Sequence, residues 1–256
     1  MDELAYRQFL ELEKTHWWFI GRRRIFFTLL HRFLPKTNGL LIMDVGCGFG
    51  GMLEGLSEMG DVMGMEIDMH SARACLERGF KGICLGSGYD MPLKPCSLDL
   101  ITLFDAIEHI EDDQKVVHQC AESLKPGGHI MITVPAYQFL YADNDRIARH
   151  MRRYTRPRLK QVVEEAGLNV VKATHFNVLL FPLILPAVLL LKAKEALRGP
   201  IPEDRSGSTN LSYKYPWILS YILKTLFSSE RFFLTRVSMP FGHSIAMIAR
   251  KPIDVS

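Results

Sequence analysis

The run Ile42-Met-Asp-Val-Gly46-Cys-Gly48-Phe-Gly50-Gly51 constrains this chain more than any other stretch. An apolar strand leads into it, glycines crowd its centre, and a helix-forming segment follows. Such a turn lets a ligand approach bare backbone amides at a helix N-terminus. Two spacings fit. Gly46, Gly48 and Gly51 satisfy G-x-G-x-x-G, the dinucleotide fingerprint, while Asp44, Gly46, Gly48 and Gly50 satisfy D-x-G-x-G-x-G. The loop alone points to a nucleotide-like ligand without saying which.

Strand and helix signals alternate on either side of this loop. Strands are expected near residues 40–45, 61–66, 82–85, 98–103 and 129–134, with helices between them, as over Ser71–Glu77 and Gln114–Leu124. Alternation of this kind predicts an α/β fold, a parallel sheet with helices on both faces. Ligands of such sheets sit at the carboxyl ends of the strands. Gly46, Glu66, Ser87 and Phe104 all fall there. A helix is also expected over residues 2–35, closed by Pro35, and another over residues 155–167, with Thr155 as N-cap and Gly167 as its stop.

Asp44 separates the two ligand classes. A carboxylate beside a pyrophosphate is repelled, whereas one beside the sulfonium and ammonium of S-adenosylmethionine is attracted. From this point the chain resembles the class I S-adenosylmethionine-dependent methyltransferases. Val62-Met-Gly-Met-Glu66 is similar to their second strand and its ribose-binding acid. Leu98-Asp-Leu-Ile-Thr-Leu-Phe-Asp105 with Ile107-Glu-His109 is similar to their fourth strand and the turn after it. Leu124-Lys-Pro-Gly-Gly128 with Ile130-Met-Ile-Thr-Val134 is similar to their fifth strand. The resemblance covers roughly residues 40–175 and the last strand, Ser244–Arg250. It implies a doubly wound, seven-stranded, mostly parallel sheet with S-adenosylmethionine as cofactor. Leu168–Thr174 and Ser244–Arg250 are expected to form an antiparallel hairpin at its edge, here interrupted by about 70 residues.

The resemblance also assigns the site. Gly46, Cys47, Gly48 and Gly50 bring backbone to the methionine part of the cofactor, with Asp44 near its positive end. Glu66, followed by Ile67, is placed to accept from the ribose hydroxyls. Gly86-Ser87-Gly88-Tyr89-Asp90-Met91 stands as the adenine loop, with Ser87 where many relatives carry Asp. Ser87 or the Gly88 backbone then takes the adenine amino group. Phe104 and Asp105 meet the cofactor's ammonium, or Asp105 turns to the substrate. Methyl transfer from a sulfonium is an in-line displacement, so positioning supplies much of the catalysis. An oxygen or nitrogen acceptor can need a base as well. Candidates are His109, by resemblance, then His150 and Tyr154 in His150-Met-Arg-Arg-Tyr-Thr155. A packing role for His109 is the competing reading. No His, Asp or Glu cluster shows metal spacing, so no metal is expected.

Five scattered cysteines without a C-x-x-C pair argue against a disulfide scaffold or zinc site and for a reducing compartment, and no secretory signal stands at the N-terminus. A cytoplasmic protein is expected, with peripheral contact to the inner membrane face as an option. That option comes from the insertion between the last two strands. Val178–Leu191 is apolar and uncharged but shorter than the ~20 residues of a spanning helix. Trp217–Phe227 is amphipathic. The insertion reads either as a helical cap over the active site, or as a membrane-facing surface or tunnel for a lipid tail. The expected organisation is an N-terminal helical segment over 1–38, a cofactor-binding core over 39–176, the insertion over 177–237 and the last strand over 238–256.

Arg146, Arg149, Arg152, Arg153, Arg156, Arg158 and Lys160 form a basic run, either a solvated face or a site for an anionic group. Nucleic acid is disfavoured, since no aromatic-studded basic groove accompanies the run. His16-Trp-Trp-Phe-x-Gly-Arg-Arg, His150-x-Arg-Arg-Tyr-Thr155 and Pro240-Phe-Gly-x-Ser244 are similar to motifs of a bacterial and archaeal branch of the family associated with envelope glycans and lipids. The leading expectation is O-methylation of a lipid-linked or amphiphilic anionic acceptor. The alternatives are methylation of a soluble metabolite, or a cofactor-binding partner protein that does no chemistry. A dehydrogenase is disfavoured by Asp44 and by Leu124–Gly128. Oligomeric state is not set by the sequence.

Overall fold

The computed structural model describes residues 12–91, 93–199 and 215–253. The predicted helix over residues 2–11 and most of the polar loop after Gly199 lie outside them. Seven strands form one sheet: β1 (Leu40–Val45), β2 (Gly60–Glu66), β3 (Ile83–Leu85), β4 (Leu98–Phe104), β5 (Leu124–Pro135), β6 (Asn169–Phe176) and β7 (Ser244–Arg250). Their order is β3-β2-β1-β4-β5-β7-β6, parallel but for β7, which runs antiparallel to both neighbours. The last two strands form the expected antiparallel pair at one edge of the sheet, with β6 outermost and β7 between it and β5.

Helices cover both faces because the central strands bury both. In β1, Ile42 joins one core and Met43 and Val45 the other. The first face is closed by α1 (Trp17–Phe33), whose Ile25, Phe26, Leu29 and Leu30 are fully buried. Beyond the glycine turn lie two short helices, α2 (Leu53–Ser57) and α3 (Met69–Glu77). The second face is closed by α4 (Asp113–Ser123) and, after a short α5 (Asp143–Ile147), by α6 (Arg156–Glu165). Thr155 caps α6 by accepting from the Arg158 N–H at 3.4 Å. Pro157 follows in its first turn, where no amide is missed.

The insertion folds as α7 (Phe181–Arg198), α8 (Trp217–Ser229) and α9 (Arg231–Leu234). α7 takes Pro182 in its first turn and continues through Pro186. Among the described residues no helix is long and apolar enough to cross a membrane. α8 lies along α1. Phe227 stacks on Trp18 with ring centroids 5.0 Å apart and meets Trp17 edge-on at 5.9 Å. The Phe227 ring sits where a side chain at Gly21 would begin: a Cβ there would lie 2.2 Å from the ring. This accounts for the glycine in the His16-Trp-Trp-Phe-x-Gly-Arg-Arg motif. His16 opens the helix, its Nδ1 accepting from the Trp18 N–H at 3.3 Å.

Phe227 is fully buried between these aromatics. Phe227→Ala should destabilise the fold by roughly 3–5 kcal/mol, read as a lowered midpoint in denaturant with a change in tryptophan emission. An unchanged midpoint would mean that α8 is not docked on α1.

Candidate functional site

A cavity of about 480 Å³ opens at the carboxyl ends of β1 and β4. Its floor is the glycine turn, with Asp44, Gly46, Cys47 and Gly48. One wall is α1, through Trp18, Phe19 and Arg22. The other carries Phe104, Asp105, Glu108 and His109 after β4, with His150, Arg153 and His243 beyond. The strand order reverses at this point, β1 feeding β2 on one side and β4 pairing on the other. That leaves the crevice in which α/β sheets hold ligands.

The glycine turn is built for backbone approach. Gly46 and Gly48 take φ of +77° and +54°, the left-handed region that L side chains avoid. A Cβ on Gly48 would find nothing within 4 Å. The space above it is open to a ligand, and its N–H donates to Glu66 Oε2 at 2.8 Å. Glu66 Oε1 accepts from the Ile67 and Asp68 amides at 2.9 and 3.0 Å. Three of its roughly four acceptor positions are thus taken by backbone. A ribose would have to share Glu66 with those amides, a feature the sequence does not foretell.

The cavity is lined with acids. Asp44 is buried and accepts from the Thr102 hydroxyl at 2.6 Å. Burial pushes its pKa up to about 7 against the opposing effect of that hydrogen bond. Asp105, at φ +52°, accepts from Arg22 Nη1 at 2.5 Å and from the Thr133 hydroxyl at 3.1 Å. Arg22 therefore reaches from α1 across the cavity mouth to the end of β4. Buried carboxyls with raised pKa favour a cationic guest over a phosphate, which fits a sulfonium better than a dinucleotide.

Several predicted residues meet here and others do not. Asp44, Gly46, Cys47, Gly48, Phe104, Asp105, His109 and His150 line the cavity. Glu66, exposed Ile67, Ser87 and Gly88 stand at the ends of β2 and β3, on the shoulder beside it. Ser87 Oγ accepts from the Tyr89 N–H at 3.2 Å. Gly50 lies under the turn, its Cα facing Cys75 and Phe80. Tyr154 is a correction. It is fully buried, donates its hydroxyl to Asp113 at 2.8 Å and does not reach the cavity. Its backbone pairs with Ala136, which turns the ring into the core below α4 and α6.

The basic run is corrected in part. Arg146 pairs with Asp143 and Glu195, Arg152 and Arg158 with Asp113, Arg153 with Asp145 and Lys160 with Glu164. Most of its charge is spent inside the fold rather than offered to an anion. The cap reading of the insertion changes too, since none of its described residues lines the cavity. α8 instead backs α1, while α7 grips the loop before α5. Lys192 donates to the Phe139 carbonyl at 2.6 Å, and Glu195 accepts from the Asp143 N–H at 2.8 Å. α7 and α8 brace the two walls from behind.

Sequence spacing predicts no metal. The structure nevertheless gathers Glu108, His109 and His150, one ligand atom from each lying within 4.8 Å of the others. Arg22, Glu108 and His243 line the cavity and Asp145 stands behind His150, and sequence reasoning singles out none of the four as a site residue. The first two stand inside quoted motifs, and His243 inside Pro240-Phe-Gly-His-Ser244. Asp145 is legible only once His150 is placed beside it at 2.8 Å. Burial and the nearby Arg153 hold the His243 pKa down to about 3, so this ring is neutral in the cavity wall.

A sheet of this order with a ligand crevice over the first glycine turn is the Rossmann-like arrangement of class I methyltransferases. Comparison with known proteins agrees. A family described as "Methyltransferase domain" matches residues 18–173, and the chain belongs to that family. Among curated proteins it is similar to a ubiquinone biosynthesis O-methyltransferase of Photorhabdus laumondii, 29% identical over 48% of this chain and 60% of the relative. A second, of Aliivibrio fischeri, is 31% identical over 41% of this chain and 49% of the relative. The chain thus spans about half the length of the curated relatives it matches. Among solved structures it resembles a chain of the complex between the Haloferax volcanii Trm112 methyltransferase activator and a methyltransferase. The TM-score is 0.60 at 16% identity, covering 96% of this chain and 94% of that one. A S-adenosylmethionine-dependent methyltransferase from Mesorhizobium loti gives 0.56 at 18% identity, covering 87% and 95%. At such identities these likenesses speak for the fold.

The second wall makes a stability prediction. His150 and Arg153 bond Asp145 and, against its burial, hold its pKa down to about 2 from an ordinary 3.8. A carboxylate with a depressed pKa stabilises the fold fully above its unfolded value and loses that contribution as pH falls through the folded one. Acid titration should remove about 2 kcal/mol between pH 4 and 2, and Asp145→Asn should flatten that part of the curve. A variant curve with the wild-type slope would show that these bonds do not form in solution.

Proposed function

We infer that this protein is a S-adenosylmethionine-dependent methyltransferase acting on a hydroxyl of an amphiphilic acceptor. The observation that carries the reading is the cavity: a glycine turn open to a ligand beside a buried carboxyl, with nitrogen and oxygen bases on the opposite wall. The cofactor, when bound, supplies an electrophilic methyl on sulfur. Gly46, Cys47 and Gly48 bind its methionine part by backbone, and Asp44 answers its positive charge. Glu66 and Ile67 take the ribose end, with Ser87 and Gly88 at the adenine. Phe104 walls the methionine pocket, and Asp105, held by Arg22, stands at its rim. Trp18 and Phe19 shut out water where charge is neutralised in the displacement, which strengthens every electrostatic contact there. The acceptor enters from the wall opposite the turn. It meets His109, His150 and Glu108 there.

Two observations bear on the acceptor. The curated relatives are named for O-methylation in ubiquinone biosynthesis, a pathway of prenylated aromatics, which supports a hydroxyl and an apolar tail. The outer faces of α7 and α8 expose Leu183, Leu190, Trp217, Ile218 and Ile222, an apolar surface suited to such a tail or to a lipid surface. The paired state of the basic run withdraws support for an anionic group. A soluble acceptor remains the second reading. A non-catalytic role is disfavoured by the bases that converge there.

Two tests follow. Calorimetry should show S-adenosylmethionine binding that Gly48→Val weakens by tenfold or more, since the branched side chain strains φ by about 1–2 kcal/mol and fills the open space. Affinity should also fall about tenfold per pH unit below 7 as Asp44 takes up its proton, and Asp44→Asn should remove that dependence. Binding indifferent to Gly48 would overturn the cofactor placement. For the acceptor, methyl-labelled cofactor is incubated with a cell extract and the products are partitioned. Label in the organic phase, lost in Gly48→Val, supports the amphiphilic reading. Label confined to water with the same dependence assigns a soluble acceptor.

A further inference from the structure

Both carboxyl oxygens of Glu108 are buried and neither has a hydrogen-bond partner. The whole side chain is 0% exposed, yet it borders the cavity. Leaving a buried polar group unpaired costs about 1–3 kcal/mol, and native folds rarely leave one without a reason. Burial, and after it the Asp105 carboxylate, pushes its pKa well above the usual carboxylate range. Such a group must hold a proton or meet a cation.

Two imidazoles stand ready beside it. His109 Nδ1 faces the Arg149 carbonyl at 3.3 Å, and His150 Nδ1 faces Asp145 Oδ1 at 2.8 Å. An Nδ1–H given to an oxygen in this way fixes the tautomer and leaves the lone pair on Nε2. A carboxylate or carbonyl behind the far ring nitrogen is the arrangement that orients metal-binding histidines. The ring centroids lie 4.8 Å apart at an angle of 79°, close enough for both to face one point. Three of the nearby guanidiniums are paired with carboxylates, Arg22 with Asp105, Arg152 with Asp113 (shared with Arg158) and Arg153 with Asp145, which reduces their opposition to a cation.

We propose that Glu108, His109 and His150 bind a divalent first-row transition ion, Zn²⁺ or Mn²⁺ in class, through one carboxylate oxygen and two imidazole nitrogens. Two imidazoles select such ions over Mg²⁺ and Ca²⁺, which take oxygen. Three protein ligands leave coordination open towards the cavity, as catalytic sites do. Its use there rests on the methyltransferase reading, although the site itself does not. A hydroxyl beside the ion loses its proton to water more readily. Its electron pair then forms the oxygen–methyl bond while the carbon–sulfur pair departs with sulfur. The products are a methyl ether, the neutral thioether form of the cofactor and one proton. His109 and His150 then act as ligands, with no proton to accept themselves.

The test needs no methyl donor. Full-length protein is stripped with a chelator, desalted, and titrated with Zn²⁺ by calorimetry and with Co²⁺ by visible absorption. One equivalent per chain is expected, with a Co²⁺ ligand-field band. Glu108→Gln, which keeps the shape of the side chain, and His150→Ala should each weaken binding about 100-fold or more. Asp145→Asn, acting only through His150, should weaken it roughly 10- to 100-fold. Absence of stoichiometric binding by the wild type, or affinity that survives the Glu108 and His150 substitutions, overturns the proposal. Either result leaves cofactor binding untouched. Metal binding without S-adenosylmethionine binding would instead overturn the methyltransferase reading and keep the metal site.

Discussion

Phe227 packs on α1 so closely that Gly21 has no room for a methyl group, and much of the site hangs on that contact. The helix it presses carries Trp18 and Phe19 into one wall of the cavity and Arg22 across its mouth to Asp105. Without the aromatic stack of Trp17, Trp18, Phe176 and Phe227, α1 would still have an apolar face for the sheet. It would have nothing to fix its rotation about that face. Rotation matters more than attachment here, because Arg22 must reach a single carboxylate at 2.5 Å. The insertion is thus tied to the chemistry through packing rather than through contact with ligand.

The electrostatics follow a related logic. The cavity gathers Asp44, Asp105, Glu108 and, behind His150, Asp145. Like charges so close cannot all ionise in a low dielectric. The structure sorts them. Asp105 and Asp145 are each paired with an arginine, whereas Asp44 and Glu108 are buried without one and have raised pKa values. The second pair holds the capacity to answer a positive guest, Asp44 at the glycine turn and Glu108 at the opposite wall. A site that was fully ionised or fully neutralised would lack that capacity. The arginines of the basic run therefore serve to set which carboxylates remain available, a role that their density along the chain does not suggest.

How much of this was legible in the sequence depends on distance along the chain. The glycine turn, its strand and Asp44 are local, and spacing alone places them correctly. The strands are also local, since apolar runs bounded by turn residues suffice to find them. The pairing of β7 with β5, more than a hundred residues away, is not local and follows from the family resemblance rather than from spacing. The Glu108–His109–His150 cluster is not local either: its members are joined by the fold of the 136–150 segment and not by any ligand spacing. Tyr154 misled because a polar, basic string reads as a loop near the site. A single bridge to Ala136 turns its ring inward instead. The seven cations read as one patch because the sequence shows them side by side, while the acidic partners of five of them come from α4, α5, α6 and α7.

The bracing of the walls by α7 and α8 bears on how an acceptor could gain entry. Helices that lined the cavity would have to move for a bulky substrate to enter. Helices that stand behind the walls can stay in place, with the substrate's reactive end passing between Arg22 and His150 while the remainder stays outside. The apolar residues that α7 and α8 turn outward are not needed to stabilise the core, whose two faces are already closed by α1, α4 and α6. Exposing large apolar side chains on one insertion raises the risk of aggregation without improving packing. On the proposed reading of an amphiphilic acceptor, that exposed surface is the part of the described residues suited to an apolar tail.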